Sequence, residues 1–231
     1  MVRIYSNGGT NLPTMALTNA SKSPMKMHTA AKSFWMFLLC AVASTALLAQ
    51  NAQQDKSDAE LLIKELEVRA GSVVGEVGAG GGELTFAIAK AVGDAGHVFT
   101  NDLNKDRVKR LQSEAAKAGA TNVTVVEGRE SETNFPDQCC DAIFMRNVYH
   151  HFGDPPAMNA SLLKSLKPGG RLAIIDFTPP PGGEREPGHR GDDNHHGITA
   201  PTLEKELKAA GFEIVSSNLQ NRRVTVVARR P

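Results

Sequence analysis

The sequence predicts an α/β fold, a mostly parallel sheet covered by helices on both faces, and three observations predict it. From Ser57 onward, short apolar runs alternate with segments of helical periodicity. Each run is nearly continuous in its apolar character, as expected of a strand buried on both faces. The chain then ends on two strand-like runs, "FEIVSSNLQ" and "RRVTVVARR", with only the short Asn221–Arg222 region between them, so these pair antiparallel.

The elements follow in order. "SDAELLIKELEVRAG" carries Leu61, Leu62, Leu66 and Val68 at helical spacing and ends at Gly71. "SVVGEVG" is a strand and "ELTFAIAKAVG" a helix. "HVFTND" is a strand, and "KDRVKRLQSEAAKAG" a helix closed by Gly119, its charge run a solvated face. "NVTVVEG" and "DAIFMRN" are strands. "PPAMNASLLKSLKPGG" is a helix stopped by Pro168 and two glycines, leading to the strand "RLAIIDF". The Pro-, Gly- and His-rich stretch from 178 to 198 is a loop able to cover the sheet's C-terminal edge, and "APTLEKELKAAG" is the last helix. No internal repeat is visible.

With 231 residues, the chain has room for one ordinary domain plus an extension, and 41% apolar with 22% charged residues describe a globular protein. The charge is unevenly placed. Arg3, Lys22, Lys26 and Lys32 all precede the first acid, Asp55, which leaves the rest slightly acidic. Such a domain offers no electrostatic footprint for nucleic acid. Residues 1–54 therefore read as an extension and 55–231 as the domain. Within the extension, Lys26 and Lys32 precede an apolar run from Phe34 to Ala49, so residues 25–49 fit a secretory signal peptide. A membrane anchor, a buried core helix and an organelle transit peptide are the other readings, and Met25 is an alternative start. The expectation is export, to a periplasm or beyond, or N-terminal anchoring, with a cytoplasmic location as the alternative; any membrane contact would run through this segment alone. Adjacent Cys139 and Cys140 are poorly placed for an ordinary disulfide, and Cys40 sits in the apolar run.

The richest signal is "VVGEVGAGGGELTFAIA", with five glycines between positions 75 and 82 where a strand hands over to a helix. Glycine there costs backbone entropy, so the turn needs positive φ or close approach of a nucleotide-like ligand. A dinucleotide fingerprint fails, because Glu83 occupies the third glycine position counted from Gly78, and no Gly-Lys-Ser/Thr follows to make a P-loop. The spacing that fits is E-x-G-x-G-x-G, through Glu76, Gly78, Gly80 and Gly82. Asp102, closing the second strand, is the acid that would accept hydrogen bonds from a ribose diol.

With "GEVGAGGGELT", "VFTNDLN", "CCDAIFMRNVYHHF", "LLKSLKPGGRLAIIDF" and "LKAAGFEIV" in hand, residues 58–231 resemble a class I S-adenosylmethionine-dependent methyltransferase, of the group that contains the ubiquinone/menaquinone-biosynthesis C-methyltransferases. The resemblance implies a Rossmann-like seven-stranded sheet of order 3-2-1-4-5-7-6 and S-adenosylmethionine as cofactor. It implies that Glu76, Gly78, Ala79, Gly80 and Gly82 hold the amino-acid part, Asp102 the ribose and Leu103 the adenine, with Asn147 also at the cofactor. After the third strand such proteins often carry an acid for the adenine amino group; Arg129 stands there, with Glu130 beside it.

Methyl transfer is an in-line displacement, so the protein's work is alignment and handling of the acceptor's proton. Tyr149, His150 and His151 follow the fourth strand and are the candidate bases, while the alternative is that the His-His pair packs structurally. His189, His195 and His196 with Asp192 and Asp193 suggest a metal, but their spacing matches no ligand arrangement, and no metal is expected. Three functions follow: a methyltransferase on a small molecule, a non-catalytic module binding S-adenosylmethionine or S-adenosylhomocysteine, and a nicotinamide oxidoreductase, which Glu83 and the terminal hairpin oppose. The acceptor and the oligomeric state are not legible.

Overall fold

A computed structural model of the chain describes residues 49–191 and 196–231. The signal-peptide-like segment therefore lies, apart from its last residue, outside the described residues, as do Asp192, Asp193 and His195. Among the described residues no helix is long and apolar enough to cross a membrane.

The strands among the described residues are β1 (Val73–Val77), β2 (His97–Asp102), β3 (Val123–Glu127), β4 (Cys140–Arg146), β5 (Leu166–Phe177), β6 (Glu213–Gln220) and β7 (Arg223–Arg229). They form one sheet of order β3-β2-β1-β4-β5-β7-β6, the order the resemblance implies. All pairs from β3 to β5 are parallel, and β7 pairs antiparallel with both β5 and β6. Asn221 and Arg222, at φ 49° and 66°, make the two-residue turn between the last two strands, the left-handed pair that matches the strands' own twist.

The α-helices among the described residues are α1 (49–65), α2 (Glu83–Val92), α3 (Lys105–Ala118), α4 (Pro155–Ser165) and α5 (Ala200–Ala209). Alternation of side chains along the strands builds two cores. Val74, Ala142, Phe144 and Ala173 meet Leu62 of α1 and Ile88 and Val92 of α2. Ile143, Met145, Leu172 and Ile174 meet Leu162 of α4 and Leu203 and Leu207 of α5 on the other face. Asn104, Asp154 and Thr199 cap α3, α4 and α5, the side chain of each accepting a backbone N–H at the helix start.

Three local details differ from the sequence reading. Helix α1 covers residues 49–56, ahead of the expected start at Ser57, because polar residues without a cap signal still continue a helix whose apolar stripe is already anchored. Helix α4 stops at Ser165, and "LKPGG" enters β5 instead of prolonging the helix. Cys139 and Cys140 are bonded to each other in spite of their adjacency.

Candidate functional site

Strand order reverses between β1 and β4: β2 and β3 lie to one side, β4 and β5 to the other. Such a switch point leaves a crevice beyond the carboxyl ends of the strands. A cavity of about 840 Å³ opens there, with walls from the ends of β1, β2, β3 and β4.

The glycine turn forms one wall, and its glycines serve two different purposes. A Cβ on Gly78 would lie 2.5 Å from the Val148 side chain, and one on Gly82 would lie 2.4 Å from Leu111 of α3. Both are glycine so that other parts of the protein can pack against them. A Cβ on Gly80 would meet no protein atom within 4 Å, yet Gly80 sits at φ 57° and lines the cavity. Gly78 also lines the cavity, but of the three Gly80 is the one whose missing side chain leaves open space and no protein contact.

Asn101, buried at the end of β2, fixes the turn: the Gly78 N–H is shared between its carbonyl (3.1 Å) and side-chain oxygen (3.0 Å), Ala79 N donates to its carbonyl (2.8 Å), and its amide donates to Thr133 O (2.7 Å). Next to it, the Asp102 carboxylate accepts from Gly80 N (3.0 Å) and Asn104 N (2.8 Å), with Arg107 at 3.6 Å. Asp102 lines the cavity, and each of its oxygens keeps a lone pair for a ligand hydroxyl. Leu103, 60% exposed, Arg129 and Glu130 line the same end. Arg129 pairs with Glu132, whereas Glu130 has no ion pair among the described residues.

Glu76 lies beneath the turn and not on the cavity wall. It is 4% exposed and accepts from the hydroxyls of Thr85 and Thr100. Burial lifts its carboxyl from 4.5 to about 7, against the lowering effect of those two hydroxyls. Ala79 and Gly82 likewise stay off the wall.

The turn after β4 is built in the opposite way. Asn147, at φ 57°, leaves the strand and lines the cavity. Tyr149, His150 and His151 then form one short 3-10 turn. Of the three, only His151 lines the cavity. Burial, then neighbouring His150 and His196, lower its pKa against the pull of Asp176, so it is neutral at pH 7. His150 turns inward, 2% exposed, with Nδ1 2.8 Å from Asp176. Tyr149 is fully buried: its hydroxyl donates to Glu206 (3.0 Å) and accepts from Asn159 (2.8 Å), and burial together with Glu206 raises its pKa. Glu206 is also bound by Arg190 (2.6 Å), which ties the 178–199 loop to α5; Gly188 of that loop reaches the cavity. No cluster of metal ligands occurs among the described residues.

Sequence reasoning missed Asn101, Arg107, Arg146, Phe152 and Met158, all of which line the cavity, and Asn101 latches the glycine turn as well. The signal for Asn101 was available, as a polar residue at the buried end of an apolar strand.

Comparison with known proteins bears on this arrangement. A family model described as "Methyltransferase domain" matches residues 69–225. The ubiquinone/menaquinone biosynthesis C-methyltransferase UbiE of Marinomonas sp. (strain MWYL1) is 33% identical over 119 residues, which cover 51% of this chain and 47% of that protein. The chain thus spans about half the length of the curated relatives it matches. A solved SAM dependent methyltransferase from Aquifex aeolicus is 27% identical, with a TM-score of 0.65 over 75% of this chain and 90% of that one. The geranyl diphosphate C-methyltransferase of Streptomyces coelicolor A3(2) is 13% identical, with a TM-score of 0.67 over 80% of this chain and 83% of that one, a likeness of fold alone.

Proposed function

We propose a function from one premise: the chain belongs to the class I S-adenosylmethionine-dependent methyltransferases. On that premise it transfers a methyl group to a small-molecule acceptor. The observation that carries this reading is the pairing of Gly80 with Asp102, a bare backbone stretch facing open space with a buried carboxylate hydrogen-bonded to it at 3.0 Å. The cavity's residues fit S-adenosylmethionine. Gly78 and Gly80 would lie along the amino-acid part, Asp102 would accept from the ribose diol, and Leu103 would cover the adenine with Glu130 at its edge. Asn147 stands where the reacting end would point.

The cofactor supplies an electrophilic methyl on a sulfonium, and the bonding pair stays with sulfur when the acceptor takes the methyl. The residues supply alignment, exclusion of water and a proton acceptor. His151 is the proposed base, because it lines the cavity and is neutral near pH 7. Its lowered pKa gives the rate a sign: the rate rises with pH only below the ordinary imidazole range near ~6.5 and is level by neutrality. His150, held by Asp176, would set the position of the ring of His151, 3.9 Å away between centroids. Lys26 and Lys32 ahead of the apolar run from Phe34 to Ala49 support export of the protein or its N-terminal anchoring.

Calorimetry with S-adenosylmethionine, S-adenosylhomocysteine and NAD, followed by a radiolabelled-methyl screen over small acceptors, tests the reading. Micromolar binding of both sulfur ligands, with transfer lost in His151→Ala, is the expected result. NAD binding without either sulfur ligand would end it, and binding without transfer to any acceptor would leave a non-catalytic module.

A further inference from the structure

A second chamber, of about 700 Å³, adjoins the first, and Asn147 lines both. Its walls come from three places distant in sequence: Gln54 on α1, Asp176 and Phe177 at the end of β5, and the tip of the β6–β7 hairpin with Arg222 and Arg223. Neither the glycine turn nor the ribose-binding acid reaches it.

The charges facing this chamber are unbalanced. Asp176 is its only carboxylate among the described residues, and that group is already spent. It is 1% exposed and accepts from Phe177 N (2.8 Å), His150 N (3.3 Å) and His150 Nδ1 (2.8 Å). The two guanidiniums keep capacity in reserve. Arg222 gives Nε and one Nη2 hydrogen to Thr178 O (3.2 and 2.8 Å), and Arg223 gives Nη2 to Asp58 (2.5 Å). Each guanidinium has five N–H donors, so most remain available, and their fork geometry suits carboxylate and phosphate oxygens. Asp58 is shared with Arg146 (3.0 Å), which also takes Asp55 (2.6 Å), so these two acids balance Arg146 and Arg223, and Arg222, bound only to a carbonyl, is the guanidinium whose charge no carboxylate among the described residues offsets. Phe177 supplies an aromatic wall.

We infer that this chamber holds the anionic end of the methyl acceptor, a small carboxylate or phosphate ester, with its reacting atom directed past Asn147 into the first cavity. The inference rests on the methyl-transfer reading for the word acceptor, and on the chamber's own geometry for the word anionic. Its size falls within the ordinary range for small-molecule sites.

The test uses the full chain saturated with S-adenosylhomocysteine, titrated with 4-hydroxybenzoate, with phenyl phosphate and with neutral 4-hydroxybenzamide. At least one anion should bind ten or more times tighter than the amide, and the stronger of the two identifies the head group. Arg222→Gln should remove that preference. Because Arg222 also holds the 178 carbonyl, Gln220→Glu serves as a second variant on an exposed wall position, and should weaken the anion several-fold with the melting temperature unchanged. Equal affinities for anions and amide, or a preference that survives both variants, would overturn the inference while S-adenosylhomocysteine binding leaves the function standing. If S-adenosylhomocysteine itself fails to bind, the function falls, and the same titrations without it still decide whether the chamber prefers anions.

Discussion

Two strand-to-helix turns meet at the same edge of the sheet, after β1 and after β4, and they solve the same problem in opposite ways. The first is stripped of side chains, so its backbone carries the recognition. The second is crowded with large side chains, most of which turn inward. Each rests on a buried acid near a strand end, but the acids are satisfied differently. Glu76 has two neutral hydroxyls, while Asp176 has a histidine ring and two backbone N–H groups. The difference teaches that a turn can be shaped for a ligand either by what it omits or by what it hides.

Substitutions can break this contrast, and the largest effect is expected on the packing side of the glycine turn. Gly82→Val adds a branched side chain at φ 90° with its Cβ 2.4 Å from Leu111. Overpacking and strain together should cost on the order of 3–5 kcal/mol, read as a fall in urea midpoint. A variant as stable as the parent would remove the packing role. Next comes Glu76. Because its native pKa is raised, the folded state holds the proton more tightly than the unfolded chain, so stability is greatest below pH 4.5 and is lost as pH rises through about 7. The loss should approach ~3 kcal/mol, and Glu76→Gln should flatten urea unfolding between pH 5 and 8. An unchanged slope in the variant would assign the pH dependence to another group.

Gly80→Val sharpens the contrast, since its Cβ meets no protein atom. Strain at positive φ should lower stability by only about 1–3 kcal/mol, while S-adenosylmethionine affinity should fall a hundredfold or more by calorimetry. Normal binding would refute the close approach of backbone to ligand. The smallest effect is expected at Tyr149→Phe. Removing the hydroxyl leaves Glu206 with Arg190 and should cost about 1–2 kcal/mol in thermal unfolding, with S-adenosylhomocysteine affinity within twofold of the parent. A large drop in that affinity would mean that the buried network reaches the cavity.

The same contrast explains what was legible in the sequence. The parallel sheet and its antiparallel end followed from apolar runs and the final hairpin, because a strand buried on both faces writes its burial into every residue, whereas the strand order came from the family resemblance. The glycine turn was legible as a position, since only glycine tolerates such backbone, but not as two separate purposes, which depend on Val148 and Leu111 arriving from elsewhere. The direction of Tyr149, His150 and His151 was not legible at all. A three-residue 3-10 turn carries no periodicity, and the partners that settle its facing, Asp176 and Glu206, lie 26 and 57 positions away.

Asn147 is a doorpost common to two rooms. Its left-handed backbone admits few replacements, and any replacement reshapes both chambers together. A lineage seeking a new acceptor would thus be free to redraw the hairpin tip or α1, but would have to leave this one post standing.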